Sequence, residues 1–286
     1  MLTRRSILAG VAALPFQRVS AARSDEFLRV GALGNLPERQ TNDLPLSDQS
    51  NKDGWQKLNS HSDEFNGDRL DPLKWSSSDT WNGMKPSFFA SENVSVADGS
   101  LNITCQLRDP PAALASAGYG KWSTGIVKSL STVQYGYFEV RARPMRSAAL
   151  SSFWFYKKYA DTQDEIDVFE FCKDRNGAVS NYHMTLHVYQ LPGYTSDIIS
   201  EAYWRAPFDF ANEFHVFGLN WNRSRIEFFV DGVLVRRLEN RLWHRPMHMI
   251  FDSEVHQKGC GIPEDATMPS TYKIDYVRSW QSLATN

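Results

Sequence analysis

The sequence predicts an all-β protein built as two antiparallel sheets packed face to face, a sandwich or jelly roll. Three observations point there. Many short runs alternate apolar and polar residues, a tight Asp-Gly turn joins two of them, and no apolar stripe of helical period is long enough to bury a face. Internal repeats and low-complexity blocks are absent.

In chain order, residues 1–21 read as an export signal. Arg4 and Arg5 open it, an apolar run follows from Ile7 to Phe16, and Val19-Ser20-Ala21 supplies small residues for cleavage. Thr3-Arg4-Arg5-Ser6-Ile7-Leu8 is similar to a twin-arginine signal, used for proteins that fold before export, so a periplasmic or extracellular location is expected. Residues 22–54 are polar, hold Pro37 and Pro45, and show no sustained period; they read as a linker or loosely attached leader. The domain is expected over 55–281, with 282–286 as a tail.

Within it, Leu101, Ile103, Cys105 and Leu107 alternate with polar neighbours, and Gly136, Phe138, Val140 and Ala142 alternate with Tyr135, Tyr137, Glu139 and Arg141. Both read as half-buried strands. Further strands are expected at 150–157, 165–171, 183–190, 214–221, 246–254 and 272–280. Ile226–Val230, Asp231-Gly232 and Val233–Val235 form a hairpin, because Asp-Gly readily adopts the positive φ of a two-residue turn.

At 286 residues and 42% hydrophobic content the chain has enough apolar mass for one large core. A formal charge of -2, from 31 basic and 33 acidic residues, gives no general field to hold nucleic acid or an anionic membrane. No later apolar stretch approaches the roughly 20 residues of a membrane span. Three cysteines, Cys105, Cys172 and Cys260, allow at most one disulfide, and folding before export favours a structure that does not depend on it.

The densest chemistry lies in Asp164-Glu165-Ile166-Asp167-Val168-Phe169-Glu170. On a strand Glu165 and Asp167 share a face while Ile166 and Val168 enter the core. Glu170, five positions from Glu165, falls on the wrong face unless one bulge between Asp167 and Glu170 shifts the phase. Like charges on one face repel, a cost a purely structural strand avoids. Two carboxyls about 5–5.5 Å apart serve glycoside cleavage with retention, and a third between them orients the nucleophile. Two other readings stand beside this one: a solvated acidic edge strand, and a metal site, for which His183 and His187 lack zinc or calcium-loop spacing.

The segment resembles the active-site strand of glycoside hydrolase family 16, in the branch with the pattern Glu-x-Asp-x-x-Glu. The resemblance extends from Trp55 to Gln281, through Asp63-Glu64-Phe65-Asn66-Gly67, Glu92-Asn93-Val94, Tyr135-Gly136-Tyr137-Phe138-Glu139-Val140-Arg141, Phe153-Trp154, Val230-Asp231-Gly232 and Ile274-Asp275-Tyr276-Val277-Arg278. It implies a jelly roll with Glu165 as nucleophile, Asp167 as assisting acid and Glu170 as general acid/base. Trp81-Asn82-Gly83-Met84-Lys85-Pro86-Ser87-Phe88-Phe89 and Met249-Ile250-Phe251-Asp252-Ser253-Glu254 are similar to the agarase, porphyranase and κ-carrageenase group, which acts on red-algal galactans.

Trp81 and Trp154 are expected to stack on sugar, with Trp154 alternatively in the core; His187 is expected to bond a sugar or Glu170, or to be a satisfied sheet histidine; Glu254 is expected to touch substrate. Lys157, Lys158, Arg146 and Arg205 are available for sulfate. No cofactor is needed for the chemistry, but Glu64 and Asp275 fall where some family members hold a structural calcium. A monomer acting on a polysaccharide is expected: agarose or porphyran first, then κ-carrageenan, laminarin or lichenan. Transfer to a sugar instead of water is a second enzymatic reading. A lectin-like module that binds without cutting is the reading from another class.

Overall fold

The structure, a computed structural model, describes residues 26–283; the export-signal reading and the last three residues lie outside the described residues. It is a two-sheet sandwich. One sheet has seven strands in the order β13 (Ile198–Arg205), β12 (Asn181–Tyr189), β11 (Gln163–Phe171), β10 (Ser151–Lys158), β17 (His248–Asp252), β8 (Ile126–Ser129) and β3 (Trp75–Ser76), all antiparallel.

The other has eleven. Its main path is β1 (Phe27–Leu28), β16 (Val233–Glu239), β15 (Arg225–Val230), β14 (His215–Trp221), β9 (Gly136–Arg143), β18 (Ser270–Ser282), β6 (Ser100–Leu107), β7 (Trp122–Thr124) and β4 (Ser87–Phe89), with β2 (Trp55–Lys57) on β18 and β5 (Val94–Ala97) on β6. One α-helix, Ala112–Ser116, occurs among the described residues. The Asp231-Gly232 hairpin is present, with φ 48° and 76° at its two turn residues.

The core between the sheets is aromatic. Phe153 stacks on Phe251 at 4.9 Å within the seven-stranded sheet, and Phe169 of β11 meets Phe217 of β14 across the sandwich at 4.6 Å. All four are fully buried, and each such side chain contributes about 2–3 kcal/mol from burial. This layer backs β11 from inside the sandwich.

Two expectations need correction. Residues 26–54 are not a loose leader but a strap across the larger sheet. Its β1 pairs with β16, Gly31 O accepts Trp204 Nε1–H at 3.0 Å, and Asp43 O accepts Trp280 Nε1–H at 2.6 Å. Hydrogen bonds hold it along most of its length, and its buried leucines, Leu33 and Leu46, are too few and too far apart to make an apolar period. Beneath the strap, β9 is not half-buried. Glu139 on its outer face is fully buried, accepts Leu46 N–H at 2.8 Å and Tyr276 O–H at 2.9 Å, and pairs with Arg39.

Cys172 and Cys260 form a disulfide. Cys105 is buried and free, and burial pushes its thiol up to about 12, so it is inert.

Candidate active site

A cleft of about 840 Å³ lies on the outer face of the seven-stranded sheet. Its floor is a lattice set by strand register. One row crosses β13, β12, β11, β10 and β17 as Ile199, His187, Glu165, Tyr156 and His248; the next reads Glu201, Thr185, Asp167, Trp154 and Ile250; the third reads Tyr203, His183, Glu170, Ser152 and Asp252.

Glu165 and Glu170 share this face because the register slips once. Asp167 pairs with Thr185 and Glu170 with His183, so three steps on β11 meet two on β12. On the β10 side Phe153 pairs with Phe169 and Trp154 with Asp167, so Val168 is the extra residue. Val168 and Phe169 both enter the core. The hydrophobic demand of two consecutive apolar residues therefore returns Glu170 to the cleft.

Tyr189 donates to Glu165 Oε1 at 2.9 Å. His187 Nε2 stands 3.7 Å from Glu165 Oε1 and 3.5 Å from Asp167 Oδ2, with its ring stacked on Tyr189 at 5.1 Å. Burial lowers the His187 pKa, so this imidazole is neutral near pH 7. His187 thus faces Glu165 and Asp167. The histidine that touches Glu170 is His183, at 3.1 Å.

Burial pushes Glu165 up to about 8, aided by the negative charges of Glu170 and Asp252 and opposed by the Tyr189 hydrogen bond. Burial raises Asp167 well above the carboxylate range, and Glu165 adds to it. Two neighbouring carboxyls in this setting share a proton. Asp167 is the deeper of the two, with 4% of its side chain exposed against 15%, and its Oδ2 has no hydrogen-bond partner, whereas Glu165 has Tyr189. Of the two, Asp167 therefore keeps its proton to higher pH, and Glu165 is the carboxyl that ionises first.

Trp154 rises from the floor beside Asp167 and meets Trp81 edge to face at 6.2 Å. Trp81, 40% exposed, stands on the loop between β3 and β4 and packs edge to face on Phe89. That loop is pinned twice: Lys128 Nζ donates to Asp79 at 2.6 Å, and Glu254 accepts Met84 N–H. Glu254 lines the cleft, but it is buried and its Oε1 is engaged by the loop.

Of the cations considered for sulfate, Lys157 and Lys158 line the cleft. Arg146 is committed to Asp209, Asn212 and Gly177 O, and neither it nor Arg205 lines the cleft. The calcium residues do not fit an ion: the Glu64 carboxylate is gripped by Arg278 at 2.9 and 2.8 Å, and Asp275 by Arg141 at 2.8 Å. Among the described residues the one cluster with metal-ligand spacing is Glu165, Asp167 and His187, within 4.8 Å of one another.

Sequence reasoning missed Tyr189, Asp252, Asp79 and Lys128. Alternation along β12 from His183 carries Thr185, His187 and Tyr189 to one face, a signal available without the structure. Asp79 and Lys128 meet only through the loop and had none.

A sandwich with three convergent carboxyls in a tryptophan-walled cleft defines, as a class, a glycoside hydrolase. The chain belongs to glycoside hydrolase family 16: the family profile described as β-porphyranase A–D, family 16 domain, matches residues 55–282. It is 28% identical to the κ-carrageenase of Pseudoalteromonas carrageenovora over 79% of this chain and 64% of that protein. It is 28% identical to the extracellular agarase of Streptomyces coelicolor over 88% of this chain and 94% of that one. Among solved structures it is similar to porphyranase B of Zobellia galactanivorans, with TM-score 0.69, 25% identity and coverage of 79% of this chain and 92% of that one. The Pseudoalteromonas κ-carrageenase bound to an oligotetrasaccharide gives TM-score 0.68 and 25% identity over 80% and 96%.

Proposed function

We propose that this protein is a retaining endo-glycosidase that cleaves β-linkages in a red-algal galactan by double displacement. The observation that carries the reading is the bulge that brings Glu165, Asp167 and Glu170 to one cleft face. Glu165 attacks the anomeric carbon as the bond to the leaving oxygen breaks, and Glu170 gives that oxygen its proton. Water then attacks the glycosyl-enzyme, Glu170 takes the water proton, and the bond to Glu165 breaks. Asp167, within 4.8 Å of Glu165, keeps the proton the pair shares and so leaves Glu165 the charge between the two steps. No cofactor enters.

Agarose or porphyran is the first-choice substrate, supported by the family profile and by relatives named for those activities. The cleft cations Lys157 and Lys158 suit a sulfated chain. Action outside the cytoplasm, as the first 21 residues suggest, fits a polymer too large to import.

The test is a digest of agarose, porphyran, carrageenans, laminarin and lichenan with product analysis. The configuration of the first reducing end, followed by NMR, reports retention. Glu165→Gln should abolish release of reducing ends while leaving binding intact. Binding by the unmodified protein with no cleavage of any of these polymers would refute the enzyme in favour of a lectin.

A further inference from the structure

We infer that His183, clamped by Glu201 and Tyr203, is the positioning residue for the Glu170 carboxyl, an inference that rests on the acid/base reading of Glu170. A glutamate has three side-chain torsions, and the Glu170 side chain is 24% exposed. Proton transfer needs one of its oxygens held still at the leaving group. His183 is the one basic side chain in contact with Glu170 among the described residues.

The imidazole is fixed on every side. Nδ1 lies 3.1 Å from Glu170 Oε2, and Nε2 lies 2.9 Å from both Glu201 Oε1 and Thr185 Oγ1. The ring stacks on Tyr203 at 4.3 Å with planes 3° apart, and Tyr203 donates its hydroxyl to Glu201 Oε1 at 2.6 Å. That hydrogen bond leads the causes that lower the Glu201 pKa, so a carboxylate faces Nε2 at neutral pH.

The register explains the assembly. Glu170, His183 and Tyr203 form one cross-strand row, while Thr185 and Glu201 belong to the next. With Nδ1 held against Oε2, Oε1 is left as the oxygen that exchanges a proton with the substrate. Thr185, Glu201 and Tyr203 stand behind His183 as its own support.

The experiment compares kcat/KM, which reports the glycosylation step, on two substrates. One is an oligosaccharide of the galactan that the panel identifies; the other is the same oligosaccharide carrying a dinitrophenyl leaving group, which departs without a proton. Glu170→Gln should lose about 1,000-fold on the first and less than about 10-fold on the second. His183→Gln should show the same pattern at smaller scale, about 30-fold against about 2-fold. His183→Asn, whose amide nitrogen falls near Nδ1, should recover most of the loss. Equal losses of His183→Gln on both substrates, or no loss on either, overturn the inference. Should Glu170→Gln itself show no dependence on the leaving group, the acid/base reading falls and the inference with it. If His183→Gln does not fold, Glu201→Gln carries the same comparison.

Discussion

Glu254, at the end of the cleft floor, accepts the backbone N–H of Met84, and so fixes the loop that carries Trp81 against the sheet that carries Trp154. Floor and wall are joined here and again by the Asp79–Lys128 pair. Glu254→Ala should loosen the wall and raise KM about 10-fold with kcat within about 3-fold, since a binding surface rather than the reacting groups is disturbed. Glu254→Gln keeps an acceptor and should stay near wild type. Steady-state kinetics check both; a kcat loss in Glu254→Gln as large as in Glu165→Gln would place the carboxyl in the chemistry.

The Tyr189 hydroxyl favours the ionised form of Glu165. Removing it in Tyr189→Phe raises the Glu165 pKa, so the proposed nucleophile ionises only at higher pH. The acid limb of kcat/KM should move up by about 1 unit, equal to the roughly 1.4 kcal/mol of one such hydrogen bond. An unmoved limb would separate that limb from Glu165.

Asp252 is fully buried, and burial pushes it up to about 7 against an ordinary 3.8. A carboxyl raised in the folded state contributes stability that is fully present below its unfolded pKa and is lost as pH rises through its folded pKa. The window is therefore pH 4 to 7. Asp252→Asn removes this dependence while its side-chain oxygen still accepts the Ser152 hydroxyl. Relative to wild type, the variant should gain on the order of 3 kcal/mol between pH 4 and pH 8 in urea titrations. Parallel pH profiles of the two proteins would refute this.

Arg39 is the ionic partner of a carboxylate that has no access to solvent. Arg39→Ala leaves Glu139 charged and short of its counter-ion, a loss of about 3 kcal/mol by denaturant melt. The double variant Arg39→Ala, Glu139→Gln should recover part of it, because the stranded charge rather than the missing bond dominates the cost.

How far the site was legible depends on which force places each residue. Glu165, Asp167 and Glu170 were readable because strand alternation and one bulge suffice to place them, and the register slip falls between Asp167 and Glu170 as the five-residue spacing requires. Trp154 was readable for the same reason. His187 was expected on a sugar or on Glu170, and it is His183 that touches Glu170: two histidines four apart on β12 share a face and only the register tells which one reaches that carboxyl. Glu254 does line the cleft, but its bond to the Met84 backbone N–H was not legible, since such contacts leave no mark in local pattern. The strap was read as a linker because period analysis detects apolar burial and is blind to a segment held by polar contacts.

That strap gives the protein a second, smaller interior. Trp55, Tyr137 and Trp280 form an apolar cluster separate from the one between the sheets, with Leu44 of the strap and Phe229 packed against it. Its lid is a single pass of chain that reaches the core between the sheets chiefly at Leu33. Amide exchange over residues 27–48 should therefore report an opening at lower free energy than global unfolding, and proteases should nick the chain there first. Once peeled, the strap leaves Glu139 and Tyr137 wet and frees Trp204 at the edge strand β13, while the strands that carry the three carboxyls and Trp154 keep their pairing, so the molecule has a breathing side and a working side.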